Sequence, residues 1–240
     1  MAAEGDRAVA GDPAAAIDPK PAPDNDSPTG NGSATITGLL VDWGGVMTGN
    51  LFSSFSAFCE SEGLDPNTLA KAFREAPEAR ELLIGFEEGR VDETDFENGL
   101  GRLLGVATAE GLIDRLFAGA TLDEPMVEMV RMARQSGIAT GLISNSWGTT
   151  RYPRELLAEL FDGIVISGEV GMRKPAPPIY VLGAEAIARR PEECVFVDDL
   201  PFNLTPAEEL GMAVVHHTTA ASTIPALERL LGIPLLAAAP

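Results

Sequence analysis

A chain of 240 residues, 45% of them hydrophobic, is long enough to bury a full core as one domain or as one domain carrying an insertion. Its 36 acidic and 17 basic residues give a formal net charge of -19, which repels nucleic-acid backbones and anionic membrane surfaces and argues against both as partners. Any small anionic substrate meets the same repulsion, so a phosphate site here needs local positive charge from a metal, a lysine or backbone N–H groups.

Residues 1–34 are rich in Ala, Asp, Pro and Gly and contain no aromatic side chain, so they read as a disordered tail that buries too little apolar surface to offset ordering. They hold no apolar signal core, and nowhere does the chain approach the roughly 18 apolar residues of a membrane span, so a cytoplasmic protein is expected. TITGLLV, before Asp42, is the first of five short apolar runs. The others are IATGLI before Ser144, GIVI before Ser167, CVFV before Asp198 and AVV before His216, and each reads as a buried parallel strand. Between the later runs lie helical patterns such as EPMVEMVRMARQSG, PRELLAELF and PIYVLGAEAIARR, an alternation that predicts βαβ units. Residues 50–121 break the alternation: FSSFSAFCESEG, NTLAKAFREA and ETDFENGLGRLLG carry helical periodicity without a strand.

The expected fold is therefore α/β, a doubly wound parallel Rossmann-like sheet with a helical cap inserted after the first strand. Residues 35–49 and 122–240 form the core domain in this reading, and 50–121 form the cap over the carboxyl edge of the sheet, where open α/β folds bind ligands. A last helix over roughly 222–231 leads into a packed end, GIPLLAAAP. Cys59 and Cys194 fall in a predicted helix and a predicted strand, as buried free thiols rather than a disulfide or a zinc cluster.

Polar residues close these strands, and each alone suits an ordinary turn or helix cap. Together, Asp42, Ser144 with Asn145, Lys174 in GMRKP, and Asp198 with Asp199 supply what phosphoryl transfer needs. A carboxylate approaching a phosphate dianion is repelled, so a metal must bridge the anions and a cation must hold the phosphoryl oxygens. Asp42, Asp198 and Asp199 offer hard oxygens for Mg²⁺. Lys174, one of only three lysines, is placed to neutralise the transferring group. Gly44 and Gly45 leave the backbone after Asp42 uncovered, so their N–H groups can approach a phosphate, although from these two residues alone a plain turn leaving the strand is the better reading.

These stretches resemble the haloacid dehalogenase superfamily. VDWGGVMT is similar to its first motif, LISNS to its second, Lys174 in GMRKP to its third and VFVDDLPFNL to its fourth, in the family's order from Thr35 to Leu236. SNSW, VGMRKPAPPIY, FVDDLPFNLTPAEELGMAVV and ALERLLGIPLL show closer similarity to the branch that includes the N-terminal phosphatase domain of soluble epoxide hydrolase and related domains in acyl-CoA dehydrogenase fusions. The resemblance implies that Asp42 forms an aspartyl-phosphate, that Ser144 and Asn145 hold the phosphoryl group and that Lys174 stabilises its charge. Asp198, Asp199 and the backbone carbonyl of Gly44 would complete a Mg²⁺ site. The substrate would be a small organic phosphate, whether sugar, acyl or lipid.

One departure stands out. In most phosphatases of the family the position of Gly44 is a second aspartate that protonates the leaving group, help typically worth on the order of 10²- to 10⁴-fold. A catalytically weak phosphate binder or regulatory protein is thus the alternative expectation. His216, His217, Glu87, Glu88 and Asp92 are the other groups that could take over the proton. Dehalogenation fits poorly with the pair Asp198 and Asp199, and phosphonate hydrolysis would need Lys71, the only cap lysine, as a Schiff-base former.

Overall fold

The computed structural model describes residues 35–235. The expected tail over 1–34 and the last residues of GIPLLAAAP lie outside that range. Five strands, β1 (Gly38–Val41), β2 (Ala139–Ser144), β3 (Gly163–Ile166), β4 (Cys194–Asp198) and β5 (Ala213–His216), form one sheet in the order β3-β2-β1-β4-β5. Every pairing is parallel, with Leu40 opposite both Gly141 and Phe196.

Alternate residues along the strands face opposite layers. Leu39, Val41, Leu142, Val195 and Val197 enter one apolar cluster with residues of α6 (Glu124–Gln135), α7 (Arg154–Leu160) and α11 (Ala220–Leu231). Leu40, Ile143 and Phe196 point the other way, onto α9 (Pro177–Ala186) and α10 (Pro201–Glu209). Burial on both faces explains why the strands read as unbroken apolar runs instead of alternating ones. The sheet is the doubly wound arrangement expected.

Between β1 and α6 the chain forms five helices and no strand: α1 (Leu51–Ser61), α2 (Thr68–Glu75), α3 (Pro77–Glu87), α4 (Glu93–Leu104) and α5 (Leu112–Leu116). They share a third apolar cluster that includes Phe58, Leu69, Phe86, Phe96, Leu100 and Leu112. The outgoing and returning backbones run side by side, Gly49 N–H donating to the Thr121 carbonyl and Asp123 N–H to that of Met47. Helices α3, α5, α10 and the single turn α8 (Ser167–Val170) were not among the expected elements.

The sheet's order reverses direction between β1 and β4. That switch point leaves a crevice outside the carboxyl ends of the two strands, where the turns diverge. Asp42 follows β1 directly and Asp198 ends β4, so the fold sets two carboxylates on the two lips of the crevice.

Candidate active site

Lys174 lies in the loop between α8 and α9, and its ammonium is driven between those carboxylates. Nζ sits 2.8 Å from Asp42 Oδ1 and 2.7 Å from Asp198 Oδ2, and the lysine is only 1% exposed. The ammonium also lies 5.4 Å from the centre of the Phe196 ring, whose electron-rich face favours a cation. Burial alone disfavours the charged lysine, but Asp198 and Asp42 outweigh it and hold the ammonium above the ordinary lysine value.

Asp198 is held from several sides. Leu200 N–H donates to Oδ1 at 2.9 Å, and Asn203 Nδ2 reaches both oxygens at 3.0 and 3.1 Å. Among the described residues nothing donates to the buried Asn203 Oδ1, so both donor contacts of this carboxamide are spent on Asp198. Burial pushes Asp42 up to about 7 although Lys174 pulls it down, and Asp198 adds a further push. Burial likewise pushes Asp199 up to about 8, reinforced by Asp198 and Asp42. Three carboxylates and one ammonium thus share a small volume. One oxygen from each of Asp42, Asp198 and Asp199 lies within 4.8 Å of the others, a hard-donor set that fits a small divalent cation such as Mg²⁺.

Gly44 and Gly45 were expected to offer backbone N–H groups to a phosphate, and that of Gly45 is engaged within the turn. Gly45 has φ +76°, and a Cβ there would stand 2.4 Å from Asp199 Oδ2, so the missing side chain makes room for that carboxylate. Its N–H donates to Thr48 Oγ1 at 3.1 Å, not to a space for an anion. A Cβ on Gly44 would lie 2.7 Å from Cδ1 of Leu51, the first residue of α1. An apolar side chain therefore fills the place beside Gly44.

Ser144 ends β2 and is buried, with its Oγ 2.8 Å from the Tyr152 hydroxyl. Tyr152 was missed in the sequence. Burial keeps its phenol well above the usual tyrosine range, so it remains protonated and can donate to Ser144, freeing the serine hydrogen for another acceptor. Asn145 was expected to hold the phosphoryl group, and its carboxamide is engaged with the Lys174 backbone. Its Oδ1 accepts the Lys174 N–H at 2.8 Å and its Nδ2 donates to the Lys174 carbonyl at 3.0 Å, leaving only the Asn145 backbone N–H for an anion.

The other candidates separate cleanly. His216 Nε2 lies 3.1 Å from the Asp199 carbonyl, while His217 is buried with Nδ1 against Thr223 Oγ1. Glu88 pairs with Arg90, and Asp92 accepts from Asp95 N–H as the cap of α4. Glu87 alone of the three is buried, against Arg173 and 3.4 Å from Asn145 Nδ2. Lys71 is exposed and pairs loosely with Asp65 at 3.9 Å.

The model of the haloacid dehalogenase-like hydrolases matches residues 36–211, most of the chain and all the residues above except His216, His217 and Thr223. The chain belongs to that family. Among curated relatives, a sesquiterpene phosphatase of Aspergillus oryzae is 31% identical over 154 residues, 61% of this chain and 78% of that one. The rat bifunctional epoxide hydrolase 2 is 30% identical over 128 residues, 50% of this chain but 23% of its own length, so this hydrolase spans about a quarter of that relative. A HAD-like hydrolase of Porphyromonas gingivalis has the same fold, with a TM-score of 0.62 at 24% identity over 82% of this chain and 98% of that one. So has a HAD family enzyme of Bacteroides thetaiotaomicron solved with magnesium and inorganic phosphate, at a TM-score of 0.56 and 20% identity, covering 76% and 94%. No helix among the described residues is long and apolar enough to cross a membrane.

Proposed function

We propose that this hydrolase is a magnesium-dependent phosphatase of small organic phosphate monoesters, working through an aspartyl-phosphate on Asp42. The observation that carries the reading is the Lys174 ammonium fixed between Asp42 and Asp198, with Asp199 completing a three-carboxylate cluster. Phosphatases among the relatives and the phosphate held by a neighbour of the same fold support it.

In the first step an Asp42 oxygen forms a bond to phosphorus as the ester P–O bond breaks, its electron pair leaving with the alcohol oxygen. In the second, a water oxygen attacks phosphorus, the aspartyl P–O bond breaks, and inorganic phosphate departs. Lys174 neutralises charge on the phosphoryl oxygens, and its fixed position spares reorganisation as charge develops. The Ser144 hydroxyl and the backbone N–H groups of Gly44 and Asn145 donate to the same oxygens. Mg²⁺ held by Asp42, Asp198, Asp199 and the Gly44 carbonyl would offset the repulsion between carboxylate and phosphate. With Leu51 against Gly44, the leaving oxygen takes its proton from solvent, which favours leaving groups that are stable as anions.

Inorganic phosphate is expected to be released from p-nitrophenyl or acetyl phosphate in Mg²⁺, to stop in excess EDTA and to resume when Mg²⁺ is restored. Asp42→Asn lowers the rate roughly 10³-fold or more. Undiminished release by that variant would exclude Asp42 as the nucleophile. The packing of Leu51 on Gly44 also favours a second reading, a phosphate binder with little turnover. Thermal stabilisation by Mg²⁺ and inorganic phosphate, with no hydrolysis of either ester, selects it.

A further inference from the structure

Glu87 closes α3 in the helical insertion, yet its side chain and its carbonyl are both engaged with the sheet edge. Its carboxylate pairs with Arg173 Nε, and the two side chains are only 6% and 12% exposed. The same Oε2 lies 3.4 Å from Asn145 Nδ2. Both partners adjoin Lys174: Arg173 precedes it in the chain, and the Asn145 carboxamide holds both its N–H and its carbonyl. The Glu87 carbonyl accepts from Ser167 Oγ, which in turn accepts from the N–H of Ser146, the neighbour of Asn145. Two residues on, Gly89 has φ +71°, and a Cβ there would stand 2.6 Å from the Gly168 carbonyl oxygen, so the two backbones meet directly.

We propose that Glu87 is a positioning residue that ties seating of the helical insertion to the placement of Lys174, acting through Arg173 and Asn145. A buried ion pair resists partial opening, because separating the partners leaves each charge unpaired in a poorly solvated place. Lifting the end of α3 therefore frees Arg173 and loosens Asn145 together, and the lysine loses the backbone support that aims its ammonium. The lysine is correctly set only when the insertion is down, so turnover is confined to the closed form. Arg151, paired with Glu93 and Asp114 in a more exposed tie between the same layers, has no such link to Lys174.

The role rests on the phosphatase reading, and its test is arranged to fail separately. Glu87→Gln keeps the shape and an acceptor but removes the charge. In the full chain with Mg²⁺ and p-nitrophenyl phosphate it should lower kcat on the order of 10- to 100-fold, with KM changed less than kcat. Arg173→Gln should do the same, and the double variant should lose little more than either single one. Arg151→Gln should stay within about twofold of the parent, since it removes an insertion contact without touching Asn145 or Lys174. Hydrogen exchange of the Lys174 amide, which donates to Asn145 Oδ1, gives a readout independent of turnover. Its protection should fall in Glu87→Gln and Gly89→Ala and persist in Arg151→Gln. Unchanged kcat in a folded Glu87→Gln protein overturns the proposal. If the parent enzyme hydrolyses nothing, the function fails and the exchange experiment alone decides the tie, with an unaltered Lys174 amide overturning it.

Discussion

The sheet edge and the helical insertion are assembled on opposite plans. At the edge, three polar side chains stand at the end of a strand or in a loop braced by another polar group: Asp198 by Asn203, Ser144 by Tyr152, Lys174 by Asn145. The insertion is organised around apolar rings. Trp147, from the loop just beyond Ser144, reaches into it with ring centres 5.4 Å from Phe55 and Phe117, 5.7 Å from Phe96 and 6.1 Å from Phe73. The edge fixes atoms by directional bonds, whereas the insertion fixes a whole layer by non-directional packing. Polar variants of the first should disturb chemistry, and truncations in the second should disturb stability.

Lys174→Met tests where that division is least sharp, since the residue belongs to the edge but is as buried as the core. It leaves Asp42 and Asp198 facing each other without the ammonium, and it should cost roughly 3–5 kcal/mol in urea unfolding at neutral pH besides abolishing turnover. Trp147→Ala probes the insertion. It should cost about 3 kcal/mol by the same measurement, and a much smaller loss would show that the rings pack adequately without the tryptophan. Gly44→Asp strikes the point where the regions touch. The new side chain must displace Leu51, at about 1–3 kcal/mol, and Leu51→Ala should recover most of that loss. Tyr152→Phe keeps the ring and removes one hydrogen bond, so phosphate release should fall about tenfold, equivalent to about 1.4 kcal/mol, with stability nearly unchanged. Equal activity would place the Ser144 proton under some other control.

The same contrast sets what the sequence made legible. The strands were readable because burial on both faces leaves continuous apolar runs, Asp42, Asp198 and Asp199 because strand ends of a parallel sheet converge, and Lys174 because it is one of three lysines and stands in GMRKP. Helix α10 was obscured by Pro206 within it, and α3 by its start at Pro77, with only Ala76 between it and the end of α2. The use of Asn145 could not be read from the sequence, since an amide both donates and accepts and its partner, the Lys174 backbone, has no sequence signature. The serine partner of Tyr152 and the Arg173 and Asn145 partners of Glu87 were hidden for a similar reason. Ser144 lies 8 residues before Tyr152 and Arg173 lies 86 after Glu87, and no spacing rule links an isolated tyrosine or one glutamate among several to a strand end.

The place of β1 in the sheet also bears on biosynthesis. It is the first of the described strands to leave the ribosome, yet its two neighbours are β2 and β4, and neither can pair with it until every residue of the helical insertion has been made. A strongly apolar segment must therefore wait with both edges open, a state prone to association with other nascent chains. Slowed synthesis or a lengthened insertion should lower soluble yield more than equilibrium stability, and chaperone supply during expression should matter more for this protein than for one whose central strand is made last.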